Sequence, residues 1–527
     1  MPFVDARSLP SAETLTADIC IVGAGAAGIA LAHALTDAPL RVLLVESGGL
    51  DYDDETQRLY AGDVIGLPYR DLDIVRLRYF GGSTNHWGGN SRPLDPIDFE
   101  TRPWMRHSGW PFELSDLASS YESARAFLGF PSDAFDAASW EDASRRPRLP
   151  LPPDAVETQI FQTVGPDRLR VGEAYREAIE KASNVTTLLN ANVLEVVPAD
   201  PPTRVESLRI ATLAGTTLQV VARHVVLAVG GIETARLLLL SNAVAPRGLG
   251  NDHDLVGRFF SDHITIRATA EFYPADPHIA LGYYDPRLHE GGEAWGVLRL
   301  ADAEQRRHGL LNCRFQLSNE TNAFNKHQDV PGFQSLRAIG RSRDLDDFGR
   351  HLANIIADVD DVAESAYWRA FHHPDYPIIK VDIVGIAEQE PNPDSRVALG
   401  AGTDRFGQRT ATLDWRLGDL DSDSLTRSVD ILGQHFGAAG LGRLRNVLPE
   451  GVFRTSTPGH HLHHMGTARM HQDPRHGVVN GDARVHGLEN LFIAGSAVFP
   501  TYGNVNPTLT IIALAYRLAD HLKELYA

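Results

Sequence analysis

Residues 18–28 read DICIVGAGAAG, and this stretch decides the fold. A short apolar strand, Ile19 to Val22, runs into Gly23-x-Gly25-x-x-Gly28. A helical run, IALAHALTD, follows, and RVLLV then forms a second strand that ends at Glu46. Gly23 permits the tight turn, Gly25 lets the backbone approach a pyrophosphate, and Gly28 lets helix and strand pack closely. The helix N-terminus offers free N–H groups and a positive dipole end to phosphates. Glu46 stands eighteen residues past Gly28, where an acidic side chain holds a ribose diol. An acid there disfavours a 2′-phosphate, so the pattern reads as FAD or NAD rather than NADP. The fingerprint alone does not choose between those two.

The rest of the composition narrows the class. The chain has 527 residues, 43% hydrophobic and 22% charged, which excludes a disordered or fibrous protein. Lys plus Arg number 49 against 68 Asp plus Glu, a formal charge of −19. Such a surface does not grip nucleic acid or an anionic membrane without sequence preference. Cys20 and Cys313 are the only cysteines, too few for a disulfide framework, an iron–sulfur cluster or a cysteine-based zinc site. No apolar run of about 18 residues occurs, so no membrane insertion is expected. The N-terminus has no basic region before an apolar run, and the cytoplasm is the expected compartment.

Working outward, glycine and apolar strand signals are dense in 1–110, 180–265 and 455–527, which together predict a discontinuous nucleotide-binding domain. The remaining segments, 111–179 and 266–454, predict a second, substrate-binding domain. There ITIRATAEFY, YPIIKVDIVGIA and RTATLDWRL alternate with polar turns as in an antiparallel sheet. A polar stretch at 318–350 reads as a mobile loop or a lid. Trp295, Phe315, Tyr367 and Trp368 are candidates for a surface on which a sugar ring stacks.

Four later stretches select the cofactor. Residues 78–92 read RYFGGSTNHWGGNSR and 224–238 read HVVLAVGGIETARLL. Residues 459–469 read GHHLHHMGTAR, and 480–510 contain GDARVHGLENLFIAGSAVFPTYGNVNPTLT. With these the sequence resembles the glucose–methanol–choline (GMC) oxidoreductases, FAD-dependent alcohol oxidases and dehydrogenases, from about residue 17 to 524. The resemblance implies an α/β fold: a Rossmann-like FAD-binding domain with an inserted α+β substrate domain built on an antiparallel sheet. In detail it is similar to the sugar-oxidising branch, namely pyranose oxidases, fructose dehydrogenase-like enzymes and the glucoside 3-dehydrogenases or C-glycoside 3-oxidases. Ser83-Thr84-Asn85-His86-Trp87 stands where pyranose oxidases have S-T-H-W text. The histidine there carries a covalent bond to the flavin. Asn85 replaces the preceding threonine, so non-covalent FAD is the preferred expectation and a covalent link at His86 the alternative. The resemblance places the cofactor against Gly23, Gly25, Ala26, Ala27, Gly28, Glu46, Ser47, Gly82, Ser83, Thr84, Asn85, His86, Trp87, Val193, Gly495, Asn506, Pro507 and Thr508. Asp482 lies near the FAD in relatives, whereas Glu233 and Arg236 read as structural.

Oxidising an alcohol on a flavin requires a hydride to leave the carbinol carbon and the hydroxyl proton to reach a base. His463-His464-Met465-Gly466-Thr467 matches the family's H-x-[MV]-G-T text, whose first histidine is the base, so the role falls on His463. Asn506 matches the partner position, which orients the substrate oxygen without titrating. Asn506 also reads as an N-cap, with Pro507 at the first position of a long amphipathic helix. The histidines at 460, 461, 463 and 464 point alternately to opposite faces if extended, with no carboxylate or cysteine adjacent, so no metal is expected. The resulting expectation is oxidation of a secondary hydroxyl of a sugar, glycoside or polyol to a ketone. The alternative is a primary alcohol or a hydroxylated natural-product intermediate. Electrons then pass to oxygen or to a quinone- or dye-type acceptor.

Overall fold

The computed structural model describes residues 3–130, 135–141, 147–285, 287–289, 292–318, 335, 358–359, 378–449, 451–455 and 458–527. The strand Glu13–Val22 lies at the heart of a sheet of eight strands among the described residues, and its last four residues are all buried. A continuous apolar run of that kind belongs to a parallel strand covered on both faces. Parallel neighbours on one side are Val42–Val45, Val185–Leu189 and Phe3–Asp5. On the other side lies the parallel strand Thr217–Leu227, joined by Leu491–Ile493. Val205–Ala211 and Asn192–Pro198 extend this edge antiparallel.

Three widely separated stretches of chain therefore share one sheet. Helix Ala26–Ala34 covers one face, packed on the C-terminal helix Thr508–Glu524 and on Val171–Lys181. Helix Ala118–Leu128 also packs against Thr508–Glu524, and Tyr121, Phe127, Val171 and Tyr175 belong to this core. These two helices thus lie on the nucleotide-lobe side, although the chain around them runs through 111–179.

Among the described residues a second sheet of nine strands is antiparallel and carries its own core. Seven run in the order Gly442–Asn446, Ile264–Pro274, Val381–Ala387, Cys313–Ser318, Gly292–Leu300, Val156–Thr163, Asn90–Ser91, while Arg287–His289 pairs with Gly292–Leu300 and Gly459–His460 with Ile264–Pro274. Helix Asp419–Ala438 closes one face through Leu425, Val429, Leu432 and Phe436. Of the three strands read from the sequence, two belong here. The third, Arg409–Asp414, pairs with Arg396–Thr403 and with Gly62–Val64 in a separate three-stranded sheet. Glu233, read as structural, is buried against Arg76, Arg78 and Arg236 at 3.2, 3.4 and 2.8 Å. Burial raises its carboxyl, and the three guanidiniums overcome that and hold it at about 2.

Some expectations change. Phe315 is fully buried and Trp295 is stacked on Phe161 at 6.2 Å, so both fill the core instead of offering a ring surface. Tyr367 and Trp368, and the proposed lid apart from Ser318 and Ser335, lie outside the described residues. The C-terminal helix begins at Thr508 with Pro507 as its cap residue, one position later than expected, and Asn506 does not cap it. Only Gly459–His460 of the histidine stretch is strand, because Leu462 turns left-handed at φ +63°. Among the described residues no helix is long and apolar enough to cross a membrane.

Candidate functional site

The nucleotide end is built from backbone. Helix Ala26–Ala34 starts at Gly25, so the N–H groups of Ala26, Ala27 and Gly28 have no intrahelical acceptor. Gly23 turns at φ +102°, and a Cβ on Gly28 would lie 1.8 Å from its carbonyl oxygen. By contrast a Cβ on Gly25 would meet nothing within 4 Å, and one on Gly495 would meet only Ala27 at 4.0 Å. The cradle is tight below and open above.

Glu46 is buried at the rim. One carboxylate oxygen accepts from Ala24 N–H at 2.9 Å. The other accepts from Gly48 N–H at 2.8 Å and Ser47 Oγ at 3.2 Å. Carboxylate oxygens retain further lone pairs for a diol. Ala191 N–H bonds the Glu46 carbonyl at 2.9 Å, which brings the half-buried Val193 to the same rim.

The stretch carrying His86 follows a glycine turn laid on this cradle, with the Cβ position of Gly82 3.1 Å from the Gly25 Cα. Thr84 Oγ1 donates to Gly81 O at 2.6 Å, Asn85 Nδ2 to Phe80 O at 3.0 Å and Trp87 Nε1 to Leu169 O at 2.5 Å. Ser83 Oγ accepts from Leu77 N–H at 3.3 Å. Asn85 therefore holds its own turn. His86 is held below the usual imidazole range by burial and by Arg170. Ser91 Oγ donates to Asn506 O at 3.0 Å and so ties this segment to the Asn506-Pro507-Thr508 segment.

At the other end stand His463 and Asn506. The Asn506 side-chain oxygen accepts from Arg314 Nη2 at 2.9 Å. A guanidinium only donates, so this bond fixes the amide orientation and leaves the Asn506 NH₂ as a donor. Arg314 also donates to the Asn504 carbonyl and lies over the Phe161 ring at 4.3 Å. It is 3% exposed, and no ion pair engages it among the described residues. Burial pulls its pKa down to about 9, so it is charged at neutral pH.

The histidine segment wraps around Asp262. The Asp262 carboxylate accepts backbone N–H groups from His263, His461, Leu462 and His463 at 2.7, 3.3, 2.9 and 3.0 Å, and the Tyr69 hydroxyl at 2.5 Å. Burial pushes this carboxyl up to about 6 against the pull of those donors. His463 Nδ1 meets His263 Nδ1 at 2.9 Å, and His263 Nε2 meets the Gly503 carbonyl at 2.9 Å. Burial lowers the pKa of His463 well below 6.5, with His263, His461 and Arg314 adding to it, so its ring is neutral at pH 7.

His461 stacks on His463 at 5.5 Å, and its Nε2 has no partner. The His464 ring lies beside Phe260 and Tyr69, with Nε2 likewise buried and unpaired. Burial lowers both to about 3. Ligand atoms of Asp262, His263 and His463 lie within 4.8 Å of one another, as in a metal site. The carboxylate is saturated by five donors, however, and both ring nitrogens of His263 are engaged, which leaves a single His463 nitrogen and no ligand set for an ion.

These features fit FAD: an open glycine face for the pyrophosphate, an acid for the ribose, and buried unpaired histidine nitrogens at the far end. Asp262, His263, Arg314 and Gly503 were not found from sequence. Arg314 alternates with core residues Cys313, Phe315 and Leu317 along its strand, a pattern that ordinarily signals a solvent face.

Comparison with known proteins places the chain among FAD-dependent oxidoreductases. A family model described as FAD dependent oxidoreductase matches residues 18–282, about half of the chain, and one described as GMC oxidoreductase matches 391–515. The chain is 25% identical to 6‴-hydroxyparomomycin C oxidase of Streptomyces lividus, across 96% of this chain and 92% of that one. It is also 25% identical to the fructose dehydrogenase large subunit of Gluconobacter japonicus, across 97% and 98%. Its fold is similar to that of pyridoxine 4-oxidase from Mesorbium loti, with a TM-score of 0.55 and 19% identity over 96% and 98% of the two chains.

Proposed function

Since the chain belongs to the FAD-dependent GMC oxidoreductases, we propose that it oxidises a secondary hydroxyl of a sugar, glycoside or polyol to a ketone. His463 is the general base in this reading and Asn506 its partner. When bound, FAD supplies the acceptor for the carbon-bound hydrogen and its electron pair. The protein's part is to hold the alcohol oxygen and remove its proton.

The observation that carries the reading is the pairing of a neutral, half-buried imidazole with an amide whose oxygen is already taken. The Asn506 NH₂ donates to the substrate oxygen. The hydroxyl proton is then directed to His463, and Arg314 lies near enough for its positive field to favour negative charge on that oxygen. The cofactor is held without a covalent bond, between the Gly23–Gly28 turn, Glu46, the Gly82–Trp87 segment, Val193, Gly495 and the Asn506–Thr508 segment. The sugar substrate class is supported by the names of the aligned oxidase and dehydrogenase and by the Ser83–Trp87 text.

The test is anaerobic flavin bleaching, then turnover with a dye acceptor or oxygen, across D-fructose, D-glucose, methyl β-D-glucoside, glycerol, benzyl alcohol and 1-butanol. Reduction by sugars, glycosides or polyols with a keto product supports the reading. Reduction confined to the two primary alcohols replaces it with the primary-alcohol alternative. Acid precipitation releases yellow flavin into the supernatant, and a yellow pellet would establish the His86 bond instead.

A further inference from the structure

We propose that His263 is a positioning residue that keeps the proton of His463 on Nδ1 and so presents Nε2 as the basic nitrogen. The inference rests on His463 being the base and goes beyond it by assigning the atom and the group that selects it.

The argument follows a chain of three groups. The Gly503 carbonyl accepts only, so the 2.9 Å contact to it requires a proton on His263 Nε2. Burial, Arg314 and His461 all disfavour a second proton on His263, so its Nδ1 carries a lone pair. The 2.9 Å Nδ1–Nδ1 contact with His463 needs one proton, and only His463 is left to supply it. His463 is then the Nδ1–H tautomer, with a bare Nε2. A free histidine favours the opposite tautomer, so the proton must be held in place by a partner.

The fold enforces this alignment. Ser261 and Met465 exchange backbone bonds at 3.1 and 3.0 Å as an antiparallel bridge. Two residues on from Ser261 is His263, and two residues back from Met465 is His463, which places the rings opposite each other. Further along, Ile264 pairs with His460. The histidine strand therefore carries two extra residues between these pairings, and Asp262 gathers that surplus through backbone amides. The last member is equally constrained. Gly503 sits at φ +54°, and a Cβ there would lie 2.3 Å from an Asp98 oxygen, so only glycine aims that carbonyl at His263.

Groups facing the pair come from several elements. Tyr502 sets its ring against His263 at 4.9 Å, His461 stacks on His463, and Arg314 approaches from the antiparallel sheet. The Asp262 carboxylate is turned to the amides and offers neither ring an acceptor.

The experiment uses holoenzyme labelled with ¹⁵N-histidine, and His463→Gln to assign the resonance. The expected result is a protonated Nδ1 and an unprotonated Nε2 on His463; the reverse pattern overturns the proposal. His263→Leu removes the acceptor and is expected to slow anaerobic flavin reduction about 10- to 100-fold at saturating sugar, with substrate affinity unchanged. His263→Gln presents an amide oxygen to His463 and an amide N–H to Gly503, and is expected to restore the rate to within a few-fold. Equal rates in the Leu and Gln variants overturn the proposal. If His463→Ala turns over normally, the base assignment itself fails. If His463→Ala is inactive while His263→Leu matches wild type, the positioning role alone fails. The wild-type tautomer decides the matter even if a variant does not fold.

Discussion

Arg314→Met separates what the buried guanidinium does for stability from what it does for chemistry. Burial takes Arg314 from 12.5 to about 9. That difference corresponds to about 5 kcal/mol of destabilisation, present at neutral pH because the group is charged in both folded and unfolded chains. Methionine relieves it while keeping much of the volume. Against this, the variant loses two charged hydrogen bonds, to Asn506 and Asn504, worth about 1.5–3 kcal/mol each. It also loses the contact over Phe161, worth up to about 2 kcal/mol. The two sides nearly cancel, so the unfolding free energy is expected to change by no more than about 3 kcal/mol. Arg102 is the control, since it is fully buried against Glu388. Removing it strands an anion, and Arg102→Met is expected to cost about 3–5 kcal/mol. Flavin reduction should respond in the opposite order. Arg314→Met frees the Asn506 amide and removes a cation beside His463, and should slow reduction about 10²- to 10³-fold. Urea unfolding of both holoenzymes and anaerobic stopped-flow reduction with the sugar from the panel measure the two quantities. The reasoning fails if Arg314→Met is destabilised as much as Arg102→Met, or if it reduces flavin at the wild-type rate.

Three further outcomes are expected. His463→Ala should lower turnover about 10²- to 10⁴-fold with FAD still bound, the usual worth of a general base, and equal turnover would refute the assignment. Because the His463 pKa is held well below 6.5, protonation inactivates the base only in acid, so kcat/KM should have its acid limb below pH 6.5. An acid limb centred at pH 7 or above in a pH series would contradict this. Glu46→Ala loses the acceptor for the Ala24 and Gly48 amides as well as the proposed ribose contact, and its flavin-to-protein absorbance ratio should drop; an unchanged ratio counts against the cradle.

Legibility followed sequence distance. The turn from Ile19 through Glu46 is local: strand, glycines, helix and acid lie within about thirty residues, and each spacing has a steric cause. Nothing in the first turn competes with that pattern, and the strand, helix and acid all stand where it puts them. The C-terminal helix was legible in extent but not in its cap, because Arg314 takes the Asn506 side-chain oxygen. Trp295 and Phe315 were misread because an aromatic residue in an antiparallel strand looks the same whether the facing layer is solvent or core.

The sequence by itself determined the nucleotide lobe with its acid at residue 46, which follow from local backbone sterics and motif spacing. The two segments that carry His463 and Asn506 were legible through their resemblance to the family's text. Only the tertiary structure decided the polarity of the site. His263 lies 200 residues from His463 and Arg314 lies 192 from Asn506. Which nitrogen holds a proton, and which way an amide faces, depend on hydrogen-bond partners that meet only when these distant segments of chain are folded together.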